Sequence, residues 1–170
     1  MIRLLQQLKQ PEETLMRHVT RICLVFIGIS FIIPAFAAKD PNLKLIKARQ
    51  SEMQLKLFNA GPLFGMAKGK IEYNAELAST LANNLLLQTQ LKMGRAWAEG
   101  THNVAYEGKT RALPEIWSTY PEIGEKGKAY VKAVNELAAV AGNGLDALKS
   151  QIGALGKGCD GCHDDFREEQ

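Results

Sequence analysis

The chain has 170 residues, 46% hydrophobic and 23% charged, with 21 Lys and Arg against 18 Asp and Glu for a formal net charge of +3. This composition excludes a disordered chain, and the length suits one sizeable domain rather than two. The balanced charge, with no Lys/Arg block, argues against a nucleic-acid binder, and three cysteines cannot staple a small disulfide-rich domain.

The N-terminal segment reads as a secretory signal covering residues 1–37. Arg17 and Arg21 precede an uncharged apolar run, Ile22 to Ile33, and Pro34 and Ala35-Phe36-Ala37 follow it. Basic flank, apolar centre and small residues before the cut are the marks of such a signal. Cleavage after Ala37 places alanine at both positions that need a small residue. The span from Ile22 to Ala38 is only 17 residues, short for a membrane anchor, so no membrane span is expected in the mature chain. The basic flank is long for a signal, and a start at Met16 would shorten it to an ordinary length. Export to the periplasm follows, and with it an oxidising compartment in which the close pair Cys159 and Cys162 is expected to have a use.

Residues 38–170 form one domain in which apolar residues recur at three and four, the period of helices. The first stretch carries Leu43, Ile46, Met53, Leu57 and Phe64, with Arg49 and Gln50 near the same side. Gly61-Pro62 is expected to kink or break it, and Gly69 to close it. The second carries Leu77, Ala78, Leu81, Ala82, Leu85 and Leu91 and ends near Met93-Gly94. The third follows Pro121, a residue suited to a first helical turn, and carries Ile123, Tyr130, Val134, Leu137 and Ala138 up to a stop at 141–144. The fourth carries Leu145, Leu148, Ile152, Leu155, Cys159, Cys162, His163 and Phe166. Only the connection from Gly94 to about Tyr120 is long, and its Trp97 and Trp117 argue for a packed link. The fold class predicted is all-α, an antiparallel four-helix bundle.

The chemistry sits in Cys159-Asp160-Gly161-Cys162-His163, the C-x-x-C-H signature of c-type haem attachment. On a helix, Cys159 and Cys162 share a face and can form thioethers with the two vinyl groups along one porphyrin edge. His163 is then held under the iron as its axial ligand. A zinc site would need a fourth ligand, and His102 is the only other histidine of the mature chain. A thioredoxin-like redox pair would need a βαβ setting that the pattern lacks. One covalently attached haem c is the reading that export, helical phase and bundle agree on. Gly153, Gly156, Gly158 and Gly161 in the fourth stretch each cost about 1 kcal/mol relative to Ala, and either a haem or a neighbouring helix lying close to the backbone would account for them.

Three segments carry a family resemblance: Arg49-Gln50-Ser51-Glu52-Met53, Thr110-Arg111-Ala112-Leu113-Pro114-Glu115-Ile116-Trp117, and Gly158 through Arg167. In this order, with C-x-x-C-H at the end of a four-helix bundle, the chain resembles the class II c-type cytochromes, the cytochromes c-prime. The resemblance implies that Arg49 and Gln50 contact the haem propionates, that Thr110 and Arg111 lie near the propionate edge, and that Arg167 lies against the axial histidine. It also implies electron transfer with small redox proteins, NO or CO binding, and a homodimer made by the first two helices crossing, where Leu87 and Leu91 would add apolar surface.

Met53 carries the choice of mechanism. A methionine at helical spacing usually fills core. In the cytochromes c-prime the matching residue covers the open face of a five-coordinate, high-spin iron, whereas in low-spin relatives a methionine from this helix is the sixth ligand. The fuller link segment favours the five-coordinate form, and the low-spin electron carrier with Met53 bound to iron stands as its alternative. An enzyme would be expected to offer a distal acid–base residue. The helix around Met53 has no histidine and His102 lies in the link, so a binder or carrier is expected rather than an enzyme.

Overall fold

The computed structural model describes residues 40–169, so the expected signal segment, its cleavage site and Met16 lie outside the described residues. The described residues form five α-helices: α1 (Pro41–Ala67), α2 (Ala75–Thr89), a short α3 (Glu115–Ser118), α4 (Tyr120–Val140) and α5 (Leu145–Phe166), with a 3-10 turn at Met93–Ala96. The four long helices form a bundle in which α1 packs on α2 and α5, and α4 packs on α2 and α5. No described helix is long and apolar enough to cross a membrane.

Each long helix begins or ends for a local reason. Asp40 caps α1 by accepting the Asn42 N–H at 2.9 Å, with Pro41 at the first helical position. Asn74 caps α2 in the same way through the Leu77 N–H at 2.8 Å. At the end of α1, Gly69 takes φ +70°, a conformation that costs glycine little. Its N–H reaches the Met66 carbonyl at 3.0 Å and that of Lys70 reaches Gly65 at 2.8 Å, the two bonds of a Schellman closure.

Of the kink or break expected at Gly61-Pro62, the break does not occur, and α1 runs through Pro62. A mid-helix proline removes one backbone hydrogen bond, and the carbonyl it would have engaged belongs to Phe58 in an exposed turn. The turn beyond the proline buries Leu63 and Met66 in the core, and that burial offsets the loss.

The core is made by Ala60, Leu63 and Met66 of α1, Ala78, Leu81, Ala82 and Leu85 of α2, Val134 and Leu137 of α4, and Leu148 and Leu155 of α5. The expected stripes are mostly present, but Leu57, Leu77 and Leu91 are exposed. In α1 the buried line runs through Ile46, Arg49, Ala60, Leu63 and Met66, which leaves Leu57 on the flank. Leu91 lies beyond α2, which stops at Thr89.

The bundle is closed differently at its two ends. At one end the Tyr73 hydroxyl donates to the Ala141 carbonyl and accepts the Gly144 N–H, both at 2.9 Å. This ties the start of α2 to the end of α4 and makes them antiparallel neighbours. At the other end the long link holds the start of α1 beside the end of α5. The Tyr106 hydroxyl donates to Asp40 at 2.8 Å and accepts from the Asn42 side chain at 2.9 Å. Ala112 forms an antiparallel bridge with Arg167, flanked by Leu113 N–H to Phe166 O at 3.0 Å and Glu168 N–H to Arg111 O at 2.9 Å.

The α5 glycines are not equivalent. A Cβ on Gly158 would stand 3.1 Å from the Tyr130 Cα of α4, whereas one on Gly153 would meet nothing within 4 Å. Gly158 therefore lets two backbones approach, and Gly153 only weakens its helix. Gly153→Ala is expected to raise holoprotein stability by about 1 kcal/mol through helix propensity. Gly158→Ala is expected to lower it, because overpacking costs about 1–3 kcal/mol and the opposing atom is backbone. Denaturant midpoints of the two variants check the opposite signs.

Candidate functional site

Helix α5 brings Cys159, Cys162 and His163 to the end of the bundle where the link is anchored. All three are half-buried. Burial pushes both thiols up; Lys56 opposes this at both sulfurs, and Lys126 opposes it at Cys162. Burial pushes the His163 imidazole down, and the nearby Arg167 and Arg111 charges add to the effect. A neutral imidazole is the form that binds a metal, so the surroundings of His163 favour ligation. Arg167 caps α5 in extended conformation, held there by its bridge to Ala112. The neighbouring surface pair Lys126–Asp165, at 2.7 Å with both side chains substantially exposed, adds little stability.

Arg49 is the most enclosed charge of the site, at 3% exposure. One terminal nitrogen donates to Thr101 Oγ1 at 2.6 Å and to the Ala96 carbonyl at 3.4 Å. The other donates to Thr110 Oγ1 at 3.0 Å and to the Thr101 carbonyl. The guanidinium carbon lies 5.0 Å from the Trp97 ring centroid and 5.9 Å from that of Trp117, within range of cation–π attraction. Trp117 Nε1 in turn donates to the Trp97 carbonyl at 3.0 Å. All of these acceptors are neutral, and no carboxylate pairs with Arg49 among the described residues. Burial alone draws its pKa down.

Gln50, exposed on the next position, donates to the Lys109 carbonyl at 2.7 Å. Thr110 is buried, and Arg111 is half-buried with one nitrogen 3.4 Å from the Glu168 carbonyl. Met53, one helical turn beyond Arg49, is half-buried. His102 is committed to the link: its Nδ1 accepts the Ala105 N–H at 3.3 Å, and its ring meets Trp117 edge-on at 6.2 Å.

The structure thus gathers Arg49, Gln50, Thr110, Arg111, Arg167 and the C-x-x-C-H segment at one end of the bundle. Sequence reasoning missed Thr101, whose side chain is wholly enclosed around Arg49, and the placement of Trp97 and Trp117 on the guanidinium faces. It also missed the half-buried Glu52 and Lys56 on the turn next to Met53. Their only signal was an i,i+4 pairing that ordinarily marks a solvated face.

These residues fit a haem. Two cysteines one turn apart supply thioether attachment, a half-buried imidazole whose surroundings favour its neutral form supplies an iron ligand, and an enclosed cation lacking an anion suits a propionate. An all-helical bundle with this constellation on its last helix defines a c-type haem protein. The cytochrome c' family model matches residues 44–167. The cytochrome c' of Halomonas halodenitrificans is 37% identical over 127 residues, 73% of this chain and 96% of that protein. The structure of cytochrome c' from Rhodobacter sphaeroides superposes with a TM-score of 0.74 at 33% identity, covering 76% of this chain and 98% of that one. A carbon-monoxide-bound variant of Alcaligenes xylosoxidans cytochrome c' gives 0.66 at 28% identity, over 78% and 98%. The chain belongs to the cytochrome c' family, and haem c attached through Cys159 and Cys162 is its cofactor.

Arg49 should be essential to the order of the link. Arg49→Ala leaves the Thr101 and Thr110 groups without their donor, and hydrogen bonds to a charged group contribute about 1.5–3 kcal/mol each. The expected outcome is a loss of more than about 2 kcal/mol and rapid proteolytic cleavage between residues 97 and 111. Denaturant unfolding and limited proteolysis with mass readout measure both.

Proposed function

We propose that this chain is an exported periplasmic haem protein that carries electrons and binds NO or CO at a five-coordinate, high-spin iron. His163 is the only protein ligand, and Met53 covers the open side. The observation that carries this reading is the register of α1. Arg49 is fully enclosed at the propionate end and Met53 follows one turn later, half-buried between it and the core residue Ala60. Carbon-monoxide and nitric-oxide complexes among the structural neighbours support a gas ligand. The haem supplies the redox and ligand-binding iron. The chain's part is to fix the ring through Cys159 and Cys162, to hold the propionates with the charges of Arg49 and Arg111 and the amide of Gln50, and to control access with Met53. With His102 engaged in the link, no further histidine among the described residues is available for acid–base catalysis, so the reading is of a binder and carrier without turnover. Small exported redox proteins are the electron partners it suits.

The second reading, a low-spin carrier with Met53 on the iron, is favoured by the thioether itself, a legitimate haem ligand. One substitution separates the two. Under the five-coordinate reading, the resting protein has a high-spin spectrum, and Met53→Ala speeds CO binding in stopped flow without changing the spin state. A low-spin wild type made high-spin by Met53→Ala would overturn it.

A homodimer belongs to the same proposal. Leu55, Leu57 and Phe58 of α1 are exposed together with Leu87 of α2 and Leu91 just beyond it. A groove of about 240 Å³ lies among Leu55, Phe58, Asn59, Asn84, Leu87 and Gln88. Exposed apolar clusters of this kind mark interfaces, and one structural neighbour forms a dimer that dissociates under ligand control. Phe58→Glu is expected to convert a dimeric holoprotein to monomer in sedimentation at micromolar concentration, and a wild type that is already monomeric would refute the interface.

A further inference from the structure

The Glu52–Lys56 pair differs from an ordinary surface pair. Its atoms are 2.7 Å apart and its lysine and glutamate side chains are 22% and 9% exposed, whereas those of Lys128–Glu125 are 77% and 72% exposed. Lys56 Nζ lies 5.1 Å from the centroid of the Tyr130 ring on α4. The Tyr130 hydroxyl is buried without a hydrogen-bond partner among the described residues. Behind that ring, the Tyr130 backbone is where Gly158 of α5 makes its close approach. The Lys56 charge is felt at the Cys159 and Cys162 sulfurs, and the Glu52 charge at Tyr130. Lys56 is also three positions from Met53 and seven from Arg49, and so on the same side of α1. One ammonium, one carboxylate and an orphan hydroxyl thus cluster around the Tyr130 ring, against the α5 segment that carries Cys159.

We propose that the Glu52–Lys56 pair sets the reduction potential of the haem, Lys56 raising it and Glu52 lowering it, with the lysine dominant because its ammonium lies over the ring of Tyr130, whose backbone meets Gly158 beside Cys159. Reduction adds one electron to the iron, with no bond made or broken at the pair. A nearby cation favours the reduced state and a nearby anion opposes it. In a partly buried wall these fields are stronger than in water. The inference rests on a haem seated at Cys159 and Cys162, and it holds whether the iron is five- or six-coordinate.

The experiment is a spectroelectrochemical titration of purified holoprotein at pH 7, with small redox mediators as electron donors. Lys56→Met should lower the potential and Glu52→Gln should raise it. The double variant should fall between the two and slightly below wild type. Lys56→Arg, which keeps the charge, should leave the potential near that of wild type. Glu52→Gln and Lys56→Arg decide the matter even if Lys56→Met fails to take up haem. Absent shifts, shifts of the same sign in both single variants, or shifts accompanied by a change of spin state would each overturn the proposal. The visible spectrum, recorded in the same cell, separates this result from the coordination of the iron.

Discussion

A guanidinium taken out of water must find an acceptor for each of its donors, and the enclosure of Arg49 imposes that demand on the rest of the molecule. The α1 carbonyls beside Arg49 serve the helix's own hydrogen bonds. The link supplies acceptors through the Ala96 and Thr101 carbonyls and the Thr101 and Thr110 hydroxyls. It also supplies Trp97 and Trp117 to cover the flat faces. Having been drawn onto α1, the link pairs through Ala112 with Arg167 at the end of α5. The attachment helix and the helix carrying Met53 are in this way referenced to one another through a segment that contains no long helix. A buried cation of this kind costs stability unless an anion answers it, and the proposed function assigns that part to a haem propionate.

Much of the architecture was legible because it is periodic. The buried alternation of Ala78, Leu81, Ala82 and Leu85 is visible from spacing alone, and C-x-x-C-H announces its chemistry in five residues. Errors came where the phase was nearly right. Leu57 sits one position off the inward line of α1, and Leu91 lies past the true end of α2. Pro62 obeyed the local rule about hydrogen bonds, yet the packing of Leu63 and Met66 outweighed it. The link was opaque for a different reason. Thr101 and Thr110 meet Arg49 across 52 and 61 positions, and no short-range pattern encodes such a meeting. The resemblance found Arg49; only the folded chain shows what holds it. Lys56 was hidden by its own ordinariness, because a Glu and a Lys four apart look solvated until a tyrosine from another helix covers them.

Helix α1 serves two environments. Its inward side carries Ile46, Arg49, Met53, Lys56 and Ala60, moving from enclosed charge through thioether and ion pair to apolar core. Its outward side carries Leu55, Leu57 and Phe58. Because the helix continues through Pro62, both sets are fixed on one body anchored at its far end by the Leu63 and Met66 core contacts. The position of Met53 relative to the attachment helix is then set by packing along the whole rod rather than by local contacts.

The Tyr73 clasp gives the opposite end a distinct character. Its two bonds join a phenol to backbone groups and involve no net charge. Added salt, which screens exposed charges over a distance of about 8–10 Å at physiological ionic strength, has no charge to act on in these two bonds. The exposed ion pair Lys126–Asp165 and the arginines around His163 lie at the other end. The clasp itself is therefore insensitive to the ionic medium, whereas the contacts beside His163 are not. Changes in the ionic medium will register beside the haem while the far end holds the helices in register.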